Sequence, residues 1–172
     1  MAGRRRSAQF LAALSLLAGA LSAAAPVVAE NIAVIVAKDA PEQTLDAGTL
    51  RDIYLKKIVL DAAGRRRVPV NLPADAPLRE AFSQALFRKS SDELQDYWNQ
   101  NYFHGITPPY VLASEDAVVR FVAQTPGAIG YVAGCHVTAD VRQVLMLPIE
   151  PTAGVTAEDM CPQGMEMTSP HP

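Results

Sequence analysis

From residue 31 onward, short apolar runs alternate with longer stretches in which apolar positions recur every three or four residues. The first pattern is that of buried strands, the second that of helices with one covered face. Asn31 to Ala37 is a β-branched run closed by Lys38-Asp39-Ala40-Pro41 and reads as a buried strand. Asp46 is placed to cap a helix from about Ala47 to Lys56, with Leu50, Ile53 and Tyr54 on one side. Ile58 to Leu60 and Val68 to Asn71 flank Asp61-Ala62-Ala63-Gly64, the pattern of two short strands about a loose hairpin. Asp75-Ala76-Pro77 opens a helix that buries Leu78, Phe82, Ala85 and Leu86 and ends near Lys89; a first-turn proline loses no helical hydrogen bond. Ser90 with Glu93 forms a capping box for a helix through Leu94, Tyr97 and Trp98. Ser114 caps another, with Glu115 and Asp116 in its first turn and Val118, Val119, Phe121 and Val122 as its buried stripe. Pro126-Gly127 stops that helix, Ala128 to Val132 is a strand, and Val141 to Ile149 is a last one. Strands alternating with helices make the class α/β.

The first 29 residues stand outside this alternation. Arg4, Arg5 and Arg6 precede an apolar run from Phe10 to Ala25, and Val27-Val28-Ala29 ends in small residues ahead of Glu30, as at a signal-cleavage site. An uncleaved anchor is the competing reading, but the run is shorter than the ~20 residues of a membrane span and ends in small residues and a proline. The expected organisation is a cleaved signal peptide over 1–29, one domain over 30–150 and an irregular tail over 151–172. The product is expected in the periplasm or secreted, with no membrane span in the mature chain.

Composition narrows the partners. Three of the 15 basic residues and none of the 18 acidic ones lie within 1–29, so the other 143 residues carry a net charge of −6. Such a chain is expected to avoid nucleic acid and acidic membrane surfaces, and its length suits one domain with a sizeable core rather than two full lobes. Cys135 and Cys161 would form a disulfide after export, tying the tail to the strand before it; two free thiols are the alternative. Neither cysteine has a neighbour at metal-ligand spacing, and the histidines number three. No cofactor, metal or catalytic set is expected, and the chain reads as no enzyme.

The most distinctive stretch is Thr125-Pro126-Gly127-Ala128-Ile129-Gly130-Tyr131-Val132. It resembles the Thr-Pro-Gly-Ala-Ile-Gly-Tyr return strand of the phosphate-type periplasmic solute-binding proteins of ABC transporters. Leu50-Arg51-Asp52-Ile53-Tyr54-Leu55-Lys56-Lys57-Ile58 resembles their Leu-x-x-Ile-Phe-x-Gly-x-Ile segment, and Val68-Pro69-Val70 the strand before their ligand loop. The resemblance spans Leu45 to Val132 and implies a mixed sheet with flanking helices, a single lobe of the type II periplasmic-binding fold. It also implies where the binding chemistry should lie, and that chemistry has changed. With Phe82 set on the family's helix aromatic, Leu72 falls at its arginine and Ala76, Pro77 and Leu78 fall on its Ser-Gly-Thr run. Asp75 adds a negative charge there, and no Ser or Thr occurs from Asp61 to Phe82. An anion site needs unpaired N–H groups, hydroxyls and close backbone approach at a helix start. Phosphate binding in the family's manner is therefore not expected.

Asp75, Ala76, Pro77, Leu78 and Arg79 remain the candidate ligand residues, for a small solute with anions among the candidates. Arg79 would point into the cleft or, as the better expectation, pair with Asp75 one turn away. Lys56, Lys57, Arg65, Arg66 and Arg67 form a basic patch that reads as a solvated loop or as a docking site for an acidic protein or oxyanion. Tyr97, Trp98, Tyr102, Phe103 and His104 read as a packed edge of the core. The leading expectation is a non-enzymatic binding protein for a small solute. The alternative is a periplasmic adaptor with a protein partner and no small ligand.

Overall fold

A computed structural model of the chain describes residues 31–41, 44–149 and 161. The expected signal peptide and, apart from Cys161, the expected tail over 151–172 lie outside these residues. The described elements are β1 (Asn31–Ala37), α1 (Ala47–Tyr54), β2 (Val68–Asn71), α2 (Pro77–Phe87), α3 (Ser91–Tyr102), β3 (Tyr110–Val111), α4 (Glu115–Gln124), β4 (Ala128–Ala133) and β5 (Val141–Pro148). A single 3-10 turn, Gly134–His136, follows β4.

The strands form one five-stranded mixed sheet in the order β3-β2-β4-β1-β5. β2 runs parallel to β3 and β4, whereas β1 lies antiparallel between β4 and β5. β4 is buried throughout and β1 over Ile32–Val36, because helices cover both faces of the sheet. Successive residues of β4 divide those faces. A Cβ on Gly130 would sit 2.5 Å from Val118 and 3.0 Å from Val122, so glycine is what brings α4 down onto one face. Tyr131 points the other way, its ring stacked on Phe82 of α2 at 3.8 Å and tilted against Tyr54 of α1 at 6.2 Å.

The distinctive stretch thus has a structural logic. Gly127 has φ +77, and a Cβ there would lie 2.1 Å from the carbonyl oxygen of Arg66, so the turn before β4 seats the 61–67 hairpin by backbone contact. The Tyr131 hydroxyl donates to Asn71 Oδ1 at 3.0 Å and accepts the Leu72 N–H at 3.3 Å, which fixes the chain where it leaves β2. Tyr54 donates its hydroxyl to the Val70 carbonyl at 2.9 Å from the same side. Burial pushes both phenols well above the usual tyrosine value, so both act as neutral hydrogen-bonding groups.

The caps form as the sequence predicts. Asp46 accepts from Thr49 N at 2.9 Å, Ser114 Oγ from Ala117 N at 3.2 Å, and Ser90 with Glu93 makes both bonds of the capping box. Cys135 and Cys161 form a disulfide. Three local expectations are corrected. Ile58–Leu60 is no strand; the hairpin is closed by an isolated Leu60–Arg66 bridge, made by the Asp61 N–H to the Arg65 carbonyl and the Arg67 N–H to the Val59 carbonyl, since Asp61 already turns the chain by accepting from the Ala63 and Arg65 N–H groups. α2 stops at Phe87, where Arg88 turns left-handed at φ 57. Trp98 is buried and Tyr97 half-buried, but Tyr102 and Phe103 are 66% and 88% exposed, because the end of α3 carries them past the cover given by Leu55 and Phe87.

Candidate functional site

A parallel strand directs the loop that follows it to one edge of the sheet, where ligands of open α/β folds gather. Here the chain leaving β2 (Leu72, Pro73, Asp75 to Leu78), the chain leaving β3 (Ala113 to Asp116) and the turn after β4 (His136) surround one groove of about 460 Å³. Two helices, α2 and α4, point their N-termini into it. Both would favour an anion by their dipoles, and in both that capacity is reduced. At α2 the N-cap is Ala76, with no side-chain cap bond, and Pro77 at the first position has no N–H to offer. At α4 the hydroxyl of Ser114 is engaged in capping its own helix.

The charge of the groove is negative. Among the described residues Asp75, Glu115 and Asp116 line it, facing His136. Glu115 Oε2 accepts the Ala133 N–H at 2.6 Å and lies 3.2 Å from His136 Nδ1, binding the start of α4 to the end of β4. Burial raises the Glu115 carboxyl above its ordinary value, against the pull of the Ala133 N–H and His136.

Four of the five residues expected at a ligand site, Asp75, Ala76, Pro77 and Leu78, come together in this groove. Arg79 does not. Its Nη1 donates to the Leu72 carbonyl at 2.9 Å, beneath the loop, so it neither enters the groove nor pairs with Asp75. Backbone pinning wins because the chain after β2 folds back over α2 and places a buried carbonyl within the arginine's reach. Ser114, Glu115, Asp116 and His136 were legible only as helix caps and as a neighbour of Cys135. The usable signal was positional: each follows a strand parallel to β2.

The basic patch divides. Lys57 pairs with Asp52 at 3.4 Å and Arg65 with Asp61, while Lys56, Arg66 and Arg67 line a second groove of about 610 Å³ with Tyr110 and Val111. Among the described residues no group of three or more His, Cys, Asp or Glu is arranged to hold a metal ion, and no helix is long and apolar enough to cross a membrane.

No protein-family model matches the chain, and no curated protein matches it. Solved structures do. It is similar to a putative phosphate ABC transporter substrate-binding protein with bound phosphate from Clostridium perfringens, at 22% identity and a TM-score of 0.56 over 67% of this chain and 44% of that one. An ABC-type phosphate transport receptor from Vibrio cholerae matches at 18% identity and 0.55, over 67% and 45%. A possible phosphate binding protein from Planctomyces limnophilus matches at 10% and 0.52, over 67% and 40%. The chain thus spans less than half the length of each. Fold and groove together define an α/β domain with a ligand-sized cleft at the carboxyl ends of parallel strands. More particularly, the fold is that of a short portion of the phosphate-transporter substrate-binding proteins, as the resemblance implied.

Proposed function

We propose that this chain is a non-enzymatic, exported binding domain that holds a small solute in the groove between the N-termini of α2 and α4. The carrying observation is convergence: the segments leaving all three parallel strands meet at that one groove of about 460 Å³. Its size suits a small molecule. Its chemistry argues against phosphate, although the similar protein from Clostridium perfringens has phosphate bound and that from Vibrio cholerae is a phosphate transport receptor. Asp75, Glu115 and Asp116 would repel a dianion, the capping hydroxyl of Ser114 is engaged, and Pro77 removes a donor. The groove better fits a neutral or cationic solute whose N–H or O–H groups meet these carboxylates. The Cys135–Cys161 disulfide and the Arg4-to-Ala29 leader pattern support an oxidising, periplasmic location.

A thermal-shift titration of the purified, oxidised protein tests this against phosphate, sulfate, amino acids, polyamines and neutral sugars. A ligand at 100 times its dissociation constant adds about 2.7 kcal/mol, or roughly 5–10 °C for a domain of this size. The expected result is a saturable shift with a neutral or cationic compound, diminished in Asp116→Asn. A saturable shift with phosphate would refute the charge argument, and silence across the panel would refute the solute reading.

A further inference from the structure

The second groove lies at the other end of the same strands. It is bounded by Val68 at the start of β2, Thr125 ahead of β4, Thr107 and Pro108 ahead of β3, and Phe121 of α4, with Tyr110, Val111 and Leu112 along one side. Lys56, Arg66 and Arg67 line it, and among the described residues none that lines it is acidic. β3 is the edge of the sheet, and Tyr110 and Val111 are 68% and 60% exposed there. The Leu112 N–H donates inward to the Asn71 carbonyl at 2.8 Å, and the alternation of a ladder then turns the N–H and carbonyl of Val111 outward. An open edge beside exposed apolar side chains and clustered cations is a surface for strand addition.

Lys56 adds an independent observation. It occupies the left-handed region at φ 60, where glycine is the relaxed choice. The conformation is set by the end of α1, whose Ile53 carbonyl accepts the Lys56 N–H at 3.0 Å while the Asp52 carbonyl accepts the Lys57 N–H at 2.8 Å. A lysine there keeps a strained backbone and sets a half-buried amine in the groove. Burial and then the charge of Arg66 push that amine below the usual lysine value, so an incoming carboxylate would favour its charged form.

We infer that this groove docks an acidic, extended segment of a partner protein, added as a strand to the open edge of β3 with its carboxylates against Lys56 and Arg66. The occupant is set by the cations, by the outward backbone of Val111 and by the apolar faces of Tyr110 and Val111. The inference stands apart from the solute reading, because it uses none of the residues of the acidic groove.

The test is fluorescence polarisation on the full chain with a labelled octapeptide of alternating Glu and Val, its Lys-Val counterpart, and a Glu-Val version interrupted by proline. The expected result is saturable binding of the Glu-Val peptide alone, weakened by added salt. Lys56→Gly should weaken it roughly tenfold while leaving the melting temperature unchanged or higher, since glycine relieves the left-handed strain. Val111→Pro should abolish binding with the fold intact by circular dichroism, because the lost N–H makes no ladder bond. Equal affinity for the Lys-Val or proline-interrupted peptide, or no effect of both substitutions, would overturn the inference. So would failure of the Glu-Val peptide to saturate, including the case in which phosphatidylglycerol vesicles bind in its place.

Discussion

The two grooves are opposite ends of one set of parallel strands, and they carry opposite charge. At the carboxyl ends, α2 and α4 begin, and the residues there are Asp75, Glu115 and Asp116. At the amino ends, α1 has just finished and α4 is finishing, and the residues are Lys56, Arg66 and Arg67. A right-handed strand-helix-strand connection puts helix starts at one edge of a parallel sheet and helix ends at the other. Helix starts favour carboxylates and helix ends favour cations. The difference teaches that the sheet's direction is written on the surface as charge. It also bears on the function proposed above, in which phosphate is disfavoured because the helix starts that would hold an anion are already accompanied by the chain's own carboxylates.

The comparison is broken most severely at Gly127. Its Cβ would meet the Arg66 carbonyl oxygen at 2.1 Å and its φ is +77, so Gly127→Val should cost about 3 kcal/mol or more, or prevent folding. Urea unfolding followed by far-ultraviolet circular dichroism measures this, and a cost below about 1 kcal/mol would mean the hairpin is not seated on that turn. A smaller loss is expected at the other end. Tyr131→Phe removes the bonds to Asn71 and Leu72 that hold the chain leaving β2, at about 1–3 kcal/mol. Hydrogen exchange should then speed at the Leu72 amide while the Val68 amide, which donates to the Gly127 carbonyl at the basic groove, is unaffected.

The mildest effect concerns pH. Burial raises the folded-state carboxyl of Glu115 above its ordinary 4.5, so its charged form opposes folding at neutral pH. That penalty is present above the raised value and vanishes as the pH falls below 4.5, where the group is protonated in both states. The stability of the native chain relative to Glu115→Gln should therefore rise as the pH falls through this window. A flat difference in paired denaturation curves would show that Glu115 is solvated and that the acidic groove is more open than its geometry indicates.

Much of this molecule is legible in its sequence. The β-branched run of β1, the caps Asp46, Ser90 and Ser114, and Pro77 at the head of α2 are signals carried by neighbouring residues, and each forms where the pattern places it. β3 leaves no such trace: two residues after Pro108-Pro109 are too few to show a period, and they become a strand only because β2 offers an unpaired edge. Ile58–Leu60 has strand-like composition, yet it pairs only at Leu60, since Asp61 turns the chain first.

The sequence by itself determined the class of fold, the residues that start most helices, and the absence of Ser and Thr from the loop after β2, because these depend on residues within a few positions. It also marked Gly127, Gly130 and Tyr131 as unusual, without the reasons. Those reasons lie in partners far along the chain: the Arg66 carbonyl, Val118 and Asn71. The tertiary structure alone decided that Arg79 serves the Leu72 carbonyl rather than the groove, that His136 meets Glu115, and that Lys57 and Arg65 pair with Asp52 and Asp61 while Lys56, Arg66 and Arg67 line one cavity with β3. Charge and hydrogen-bond partners act through space, and only the sheet order β3-β2-β4-β1-β5 brings those distant positions within reach of one another.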